Sequence, residues 1–372
     1  MKILEVIYGL STGGAERLVV DLCNEMSKTE DVTLLILKEV NHFYLPQVSP
    51  NVKVIQAHWK IGFSIMQQYK AYKLIKEINP DIVHFHNSER YSMILSNILL
   101  KKKYSFFMTI HSDVEKNYKK GLSGLQVKLC GLLGGCKFIT ISETNYLQFQ
   151  KLYPKFQQIL IENGRALPQF TQQIDSVKKE IESYKKDHNT IVFIHVARYH
   201  PCKNQEMLIE VFNELISENI NCILLVIGSG FETDKGSKIV EKANKGIYFL
   251  GSKNNIYDYL KNSDVFCLSS IYEGMPMSII EAILSGIPII STPVCGAIDA
   301  VKNGYNGFIS SSFEKESYKK SILEFIKHKD SISDYSEKNK NNSKYAITNC
   351  AQKYISFFKS TIHKKNNISF IS

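Results

Sequence analysis

The sequence predicts an α/β protein made of two Rossmann-like lobes with parallel sheets. Three observations predict it. Short, almost continuously apolar runs of the kind buried in parallel sheets recur along the chain, as at Lys2–Tyr8 and Thr190–Val196. Several run into a glycine-bearing turn and then an amphipathic helix, the strand–turn–helix unit of a doubly wound sheet. The chain has 372 residues, long enough for about two domains, and a polar stretch at 166–189 with Pro168, several Gln and repeated Lys divides it.

The composition is 44% hydrophobic and 22% charged, which fits a soluble protein. No apolar run approaches the roughly 18 to 20 residues needed to span a bilayer. Met1 to Leu10 carries Glu5 inside its apolar run and lacks a cleavage-like site, so it reads as a first strand rather than a signal peptide. The eight Cys form no C-x-x-C and sit mostly in apolar surroundings. That pattern predicts reduced, packed thiols in a cytoplasmic protein, not a disulfide frame or a zinc site.

The net charge of +10 is unevenly placed. Residues 1–165 hold 21 basic and 14 acidic side chains, 166–337 hold 18 and 22, and 338–372 hold seven Lys and no acid. Nucleic acid and an anionic membrane surface both attract such a distribution. The sequence contains no nucleic-acid-binding module, so the expected partner is an anionic membrane surface or lipid phosphate, with no nucleic acid.

The first strand runs into Gly9-Leu-Ser-Thr-Gly13-Gly14-Ala-Glu16 and a helix with Leu18, Val19, Leu22, Cys23 and Met26 on one face. This is not G-x-G-x-x-G, so it gives little support to a dinucleotide site. Gly13 and Gly14 at a helix start allow close backbone approach to a phosphate; a tight turn with packing glycines has the same sequence. Asp31–Leu37 and Val52–Ala57 are the second and third strands. His58 to Phe63 and the following helix are basic and aromatic, with Tyr69, Lys70, Tyr72, Lys73 and Lys76. Such a helix suits a membrane interface, or simply packs its rings and solvates its lysines.

Asp81 to His86 is a strand that places His84 and His86 on one face. A metal would need a further ligand, and the nearby sequence offers none. Tyr104–Ile110 is a strand leading to His111. Phe138–Ile141 is the next strand, followed by Ser142 and a helix, and Ile159 to Gly164 closes the first lobe. Thr190–Val196 opens the second and leads to Arg198 and Lys203, five residues apart in one loop. Two cations there can converge on a diphosphate or stand apart on the surface. Cys222–Ile227 runs into Gly228-Ser-Gly230. Ile247–Gly251 is a strand and Asn254–Leu260 a helix.

The most informative stretch is Asp264 to Ile309. Asp264–Ser269 is a buried strand, Gly274 and Pro276 mark a turn, and Pro276–Leu284 is a helix ended by Gly286-Ile-Pro288. Glu273 falls in the loop and Glu281 inside the helix, as E-G-M-P-M-S-I-I-E. The helix start has unpaired N–H groups and partial positive charge, suited to a phosphate. Each carboxylate can accept a pair of hydroxyls. An anion site between two hydroxyl-binding groups outlines a nucleotide-sugar site, although two Glu at this gap also occur by chance. Pro288–Ser291 is a further strand, and a last helix spans about Tyr345–Lys359.

The stretch resembles the signature of retaining glycosyltransferases of the GT-B fold, family 4 type. Arg198/Lys203 resemble the family's R-x4-K, Gly13 to Glu16 its G-G-x-E, Asn163-Gly164 its I-x-N-G, and Gly304 to Ile309 its closing G-x-x-G segment. Lys203 is followed by Asn where many members have Gly. Gly296-Ala-Ile-Asp299 departs from the commoner G-G-x-x-E.

The resemblance implies two lobes with their sheets facing across a deep cleft. The domains are then 1–165 on the acceptor side, a linker at 166–189, a nucleotide-sugar domain at 190–344, and a C-terminal helix crossing back with a basic tail at 345–372. It implies hexosyl or glycosyl transfer with anomeric retention, from a UDP-sugar in preference to a GDP-sugar. The acceptor would be a hydroxyl of a glycan or a polyprenyl-diphosphate-linked saccharide, in surface polysaccharide synthesis. Arg198 and Lys203 would grip the diphosphate, Glu273 the donor sugar and Glu281 the ribose. Gly13, Gly14, Gly228, Met277 and Ser278 would line the donor, and His111 would border the reacting centre. Glu16, His86 and Asn163 would lie on the acceptor side. There is no Asp-x-Asp, so no metal and no cofactor are expected; the nucleotide sugar is a substrate. The enzyme would be cytoplasmic, held peripherally at the inner face of the membrane. The rivals are a nucleotide-sugar epimerase of the same fold and a non-catalytic nucleotide-sugar-binding protein.

Overall fold

Two parallel sheets organise the chain. The computed structural model describes residues 1–38, 42–59, 64–86, 93–328 and 343–369. It divides into two units, Met1–Ala166 with Lys344–Ser372, and Leu167–Ser343. Lys60 to Phe63, in the basic aromatic stretch, lie outside the described residues, as does the end of the basic tail.

The first unit alternates strand and helix: β1 (Lys2–Ile7), α1 (Gly14–Met26), β2 (Asp31–Lys38), β3 (Lys53–Trp59), α2 (Ile65–Ile78), β4 (Ile82–His86), α3 (Ile94–Leu100), β5 (Ser105–Ile110), α4 (Val114–Asn117), α5 (Gly121–Leu132), β6 (Lys137–Thr140), α6 (Glu143–Leu152) and β7 (Gln158–Leu160). Its sheet runs β3-β2-β1-β4-β5-β6-β7, all parallel. Leu4, Val6, Leu35, Val83, Phe106 and Met108 form the centre of its core. Fully burying each such side chain stabilises by about 1.5–3 kcal/mol. Ser142 caps α6 by accepting from the Asn145 N–H, so the Ser-Glu pair after β6 starts the helix as its sequence predicts.

The second unit continues with α7 (Ile174–Tyr184), β8 (Ile191–Val196), α8 (Gln205–Ser217), β9 (Cys222–Ile227), α9 (Asp234–Glu241), β10 (Ile247–Gly251), α10 (Ile256–Lys261), β11 (Val265–Leu268), α11 (Met277–Ser285), β12 (Ile289–Ser291), α12 (Ala297–Ala300), β13 (Gly307–Ile309) and α13 (Lys315–Lys327). The sheet order is β10-β9-β8-β11-β12-β13, again all parallel. Phe193, Phe212, Leu224, Val226, Val265 and Phe325 lie in its core. The polar stretch 166–189 contains α7, which buries Val177 and Ile181 in this unit and stacks Tyr184 on Tyr248.

The last helix, α14 (Ile347–Ser369), is longer than its apolar pattern alone marks. It packs along α1 in the first unit and places Phe357 and Phe358 against Phe107. The chain returns through an exchange in which Arg165 N–H donates to Tyr345 O and Ile347 N–H to Arg165 O, both at 2.9 Å. Gly164 permits this approach, because a Cβ there would lie 2.7 Å from Cys350 Cβ and 2.9 Å from Ile347 Cα. Arg165 also reaches back to Asp21 on α1 at 2.6 Å.

All eight cysteines are free thiols, seven of them buried, with Cys202 partly exposed. Among the described residues no helix is long and apolar enough to cross a membrane.

Candidate functional site

In the second unit, the residues singled out by sequence gather at the C-terminal ends of β8, β9 and β11, where a parallel sheet leaves its loops and helix starts. Glu273 Oε1 lies 2.5 Å from Lys203 Nζ and accepts from Ser270 Oγ at 2.7 Å. Both charged side chains keep a small exposed fraction, 21% for Lys203 and 15% for Glu273. Ser269 Oγ donates to Lys203 O at 2.7 Å, and Ile271 N–H donates to Cys202 O at 2.8 Å. The loop after β8 and the loop after β11 are therefore one hydrogen-bonded structure.

Arg198 is exposed, and its carbonyl is fixed by the Gln205 side-chain amide at 3.0 Å. The next residue, Tyr199, donates its N–H to Ser229 O at 2.7 Å, which ties in the loop after β9. Gly228 makes that crossing possible. Its φ is +155°, and a Cβ would stand 2.0 Å from Ala197 O.

Helix α11 begins at Met277 with Pro276 as N-cap, which offers no side-chain cap to the first N–H groups, and ends on Gly286 with left-handed backbone. Met277 is buried and Ser278 half-buried in its first turn. Glu281, one turn further, is 8% exposed. Glu273, Lys203 and Arg198 with the start of α11 make a polar, cationic group suited to a diphosphate flanked by hydroxyls.

His195, on β8 beneath this loop, was not singled out from sequence. Its Nδ1 donates to Cys267 O at 2.9 Å, and Gln205 Nε2 donates to its Nε2 at 3.4 Å. Burial pushes it down to about 4, so it is a neutral strut between strand and loop. A His among apolar strand residues was the available signal.

In the first unit, strands β1, β4 and β5 are neighbours, and register sets Glu5 beside His84 and His86 beside Thr109. Glu5 Oε2 lies 2.8 Å from His84 Nδ1 and 2.7 Å from His86 Nε2. His86 Nδ1 lies 2.9 Å from His111 Nε2. On the other branch, His84 Nε2 lies 2.7 Å from Thr109 Oγ1, which lies 3.2 Å from the Tyr354 hydroxyl on α14.

Glu5, His84 and His86 are all 0% exposed, while His111 is half-buried. Burial alone would raise the Glu5 carboxyl, but the charge and hydrogen bonds of His84 and His86 outweigh it and hold the group near 2. Burial, with the charge of His84, pushes His86 down to about 4. Burial also pushes His111 well below the usual imidazole range, followed by the charges of His86 and His84.

Two expectations are corrected here. His86 has no surface of its own, so it cannot line an acceptor site directly; the half-buried ring is His111, to which it is bonded. The sequence near His84 and His86 offers no third metal ligand, yet the fold supplies one in Glu5, from the adjacent strand. The observed separations are those of direct N–H···O bonds. Two ligands of one tetrahedral zinc, each about 2.0–2.2 Å from it, would sit roughly 3.4 Å apart.

The remaining first-unit candidates lie in two places. Gly13 is the N-cap of α1, and Glu16 folds its carboxylate back over Gly13 while accepting from Ser11 Oγ at 3.2 Å. Gly14 is exposed. Asn163 is buried beside Gly164, where the C-terminal segment crosses.

Comparison with known proteins agrees with this arrangement. Residues 12–153 match the model "Glycosyltransferase Family 4", and residues 176–346 match "Glycosyl transferases group 1". The capsular polysaccharide biosynthesis glycosyltransferase CapH of Staphylococcus aureus is 30% identical over 272 residues, covering 70% of this chain and 71% of that protein. An Escherichia coli UDP-Gal:alpha-D-GlcNAc-diphosphoundecaprenol alpha-1,3-galactosyltransferase is 29% identical over 290 residues, 73% of this chain and 70% of that one. An uncharacterized glycosyltransferase of Methanocaldococcus jannaschii is 27% identical over 246 residues, 62% of this chain, and the match spans 60% of that protein's length. Among solved structures, HepE of Anabaena in complex with UDP and glucose superposes with a TM-score of 0.79 at 17% identity, covering 97% of this chain and all of that one. With both sheets, both halves of the chain and the capsular relative in agreement, this chain belongs to the group 1, family 4 glycosyltransferases of the GT-B fold.

Proposed function

We propose that this glycosyltransferase takes its sugar from a nucleotide sugar, UDP-linked in preference to GDP-linked, and transfers it with anomeric retention. The acceptor is a hydroxyl of a glycan or of a polyprenyl-diphosphate-linked saccharide, in surface polysaccharide synthesis. The observation that carries this reading is the convergence of Lys203, Glu273 and Ser270 beside Arg198 and the N-terminus of α11. The capsular relative, the relative named for UDP-Gal and a diphosphoundecaprenol acceptor, and the UDP-bound HepE support the donor class and the acceptor chemistry.

Charge develops on the departing diphosphate as the glycosidic bond breaks. Arg198 supplies a planar fork, Lys203 a point charge, and α11 its unpaired N–H groups. The helix start is fixed by the fold, and donor binding turns the two cations to the diphosphate before its charge develops. Glu273, paired with Lys203 in the free protein, turns to accept hydroxyls of the donor sugar as Lys203 turns to phosphate. Glu281 accepts the ribose hydroxyls, while Gly228, Met277 and Ser278 line the donor. His111, with Glu16 and Asn163, belongs to the acceptor side.

The first unit also carries features of a membrane-facing surface. Ile65, Met66 and Tyr69 on α2 and Leu122, Leu125 and Leu132 on α5 are exposed, interspersed with exposed Lys70, Lys73 and Lys128. Apolar side chains among lysines fit peripheral binding to an anionic bilayer.

The test is a panel of UDP- and GDP-sugars, read by thermal shift and nucleotide release for wild type and Glu273→Ala. Stabilisation by one nucleotide class, weakened in the variant, supports the donor site and names the donor. No response to any nucleotide sugar, or an unchanged response in the variant, overturns the reading and moves the non-catalytic binding protein ahead.

A further inference from the structure

The network under His111 fixes more than packing. Glu5 sits in the middle of a buried strand, where an ionised carboxylate persists only when hydrogen-bonded. An ionised carboxylate only accepts. Both histidine nitrogens that face it, His84 Nδ1 and His86 Nε2, must therefore carry hydrogen.

In the neutral His86 ring the other nitrogen, Nδ1, is then a lone pair. His86 Nδ1 has only one partner among the described residues, His111 Nε2 at 2.9 Å. It can only accept, so His111 Nε2 must donate. His111 is thereby left with a lone pair on Nδ1. Each tautomer follows from the one before it, and the sequence of constraints begins at Glu5.

We propose that Glu5 is a positioning residue which, through His86, locks His111 as its Nε2–H tautomer and presents His111 Nδ1 as a hydrogen-bond acceptor for a substrate hydroxyl. This rests on the assignment of His111 to the substrate side made above. His111 is the one ring of the three with surface. Glu5 is held ionised near 2, and His86 and His111 stay neutral at physiological pH, in keeping with these tautomers. A positive charge gathering on His111 as it takes a hydroxyl hydrogen is also offset by the Glu5 carboxylate, two hydrogen bonds away. That is the work of a buried carboxylate behind a catalytic imidazole, spread here over one extra ring.

The first measurement needs no substrate. Two-bond proton–nitrogen correlation spectra of the full chain, with 15N-labelled histidine, report which ring nitrogen carries hydrogen. The expected result at neutral pH is Nε2–H for both His86 and His111. A His111 ring protonated at Nδ1 overturns the inference. So does stoichiometric bound metal in the purified protein whose removal changes the His84 and His86 signals, because Glu5 would then be a ligand.

The second measurement uses Glu5→Gln, which keeps shape and removes charge. Turnover should fall about 10- to 100-fold with the donor KM within about twofold of wild type, and the His111 tautomer should become mixed. In a His111→Ala background, Glu5→Gln should cost no further activity, which separates positioning from general damage. Unchanged turnover, or an equal loss in both backgrounds, overturns the role. Failure of the donor reading would leave the spectra unaffected, so the two failures are distinguishable.

Discussion

Lys203 Nζ and Glu273 Oε1 lie 2.5 Å apart although 70 residues separate them in sequence. The two donor-side charges thus satisfy each other in the free protein, and donor binding must redirect both. The expected consequence is a split between nucleotide and nucleotide sugar. Glu273→Gln releases Lys203, so UDP alone should bind as tightly as to wild type or tighter. The UDP-sugar, losing charge-assisted hydrogen bonds to its hydroxyls, should bind about 10-fold more weakly or worse. Calorimetric titration of both ligands checks it. A parallel loss for both would show that Glu273 only supports the loop.

Gly228 is tested against Gly251. At Gly228 an added Cβ meets the Ala197 carbonyl at 2.0 Å, a backbone atom that cannot swing aside. At Gly251 φ is +67° but the space is open. Gly228→Ala should therefore cost roughly 2–4 kcal/mol in denaturant unfolding and weaken nucleotide binding, whereas Gly251→Ala should cost about 1 kcal/mol. Equal effects would remove the loop contact as the explanation.

Gly164, beyond the end of β7, lies against the first turn of α14. Gly164→Ala would push a methyl against Cys350 and Ile347. A loss of about 1–3 kcal/mol is expected, with faster proteolytic cutting in the C-terminal helix. A variant as stable and as resistant as wild type would contradict the packing described.

Stability should depend on pH with a defined sign. His86 and His195 are held near 4 when folded against an ordinary 6.5, so the unfolded chain binds more protons between those values. Their contribution is complete above about 6.5 and is lost as pH falls to about 4, by up to about 3 kcal/mol for each. Glu5, held near 2 against 4.5, adds a further loss in the window below 4.5. Urea midpoints measured across pH 4 to 7 should fall on acidification, and less so for His195→Gln. A flat profile would mean that these rings are not buried in neutral form.

The donor half was largely legible in the sequence because its signals are local. A strand, a turn with Gly274 and Pro276 and a helix ended by Gly286 place Glu273 and Glu281 without reference to the rest of the chain. Arg198 and Lys203 likewise share one loop. What was illegible is contact across strands. Glu5 read only as a charge interrupting an apolar run; its partners His84 and His86 lie 79 and 81 residues away and meet it through the β1–β4 register. The clue was available in principle, since an acid in the middle of a buried strand demands a partner. Helix α5 was not read because its apolar positions are diffuse, α9 because they are few, and β13 because three residues carry no period; α13, with Tyr318, Ile322 and Phe325 on one buried face, was legible and was missed.

The return of α14 to the first unit also sets an order of events during synthesis. Glu5 leaves the ribosome about 350 residues before Tyr354, Phe357 and Phe358, which cover His84, Thr109 and Phe107. Those strands therefore wait, with the carboxylate and imidazoles uncovered on that side, until α14 has been made. A message truncated before α14 would yield a nascent chain whose second unit is whole but whose first unit is unsealed, a product suited to capture by chaperones rather than to catalysis.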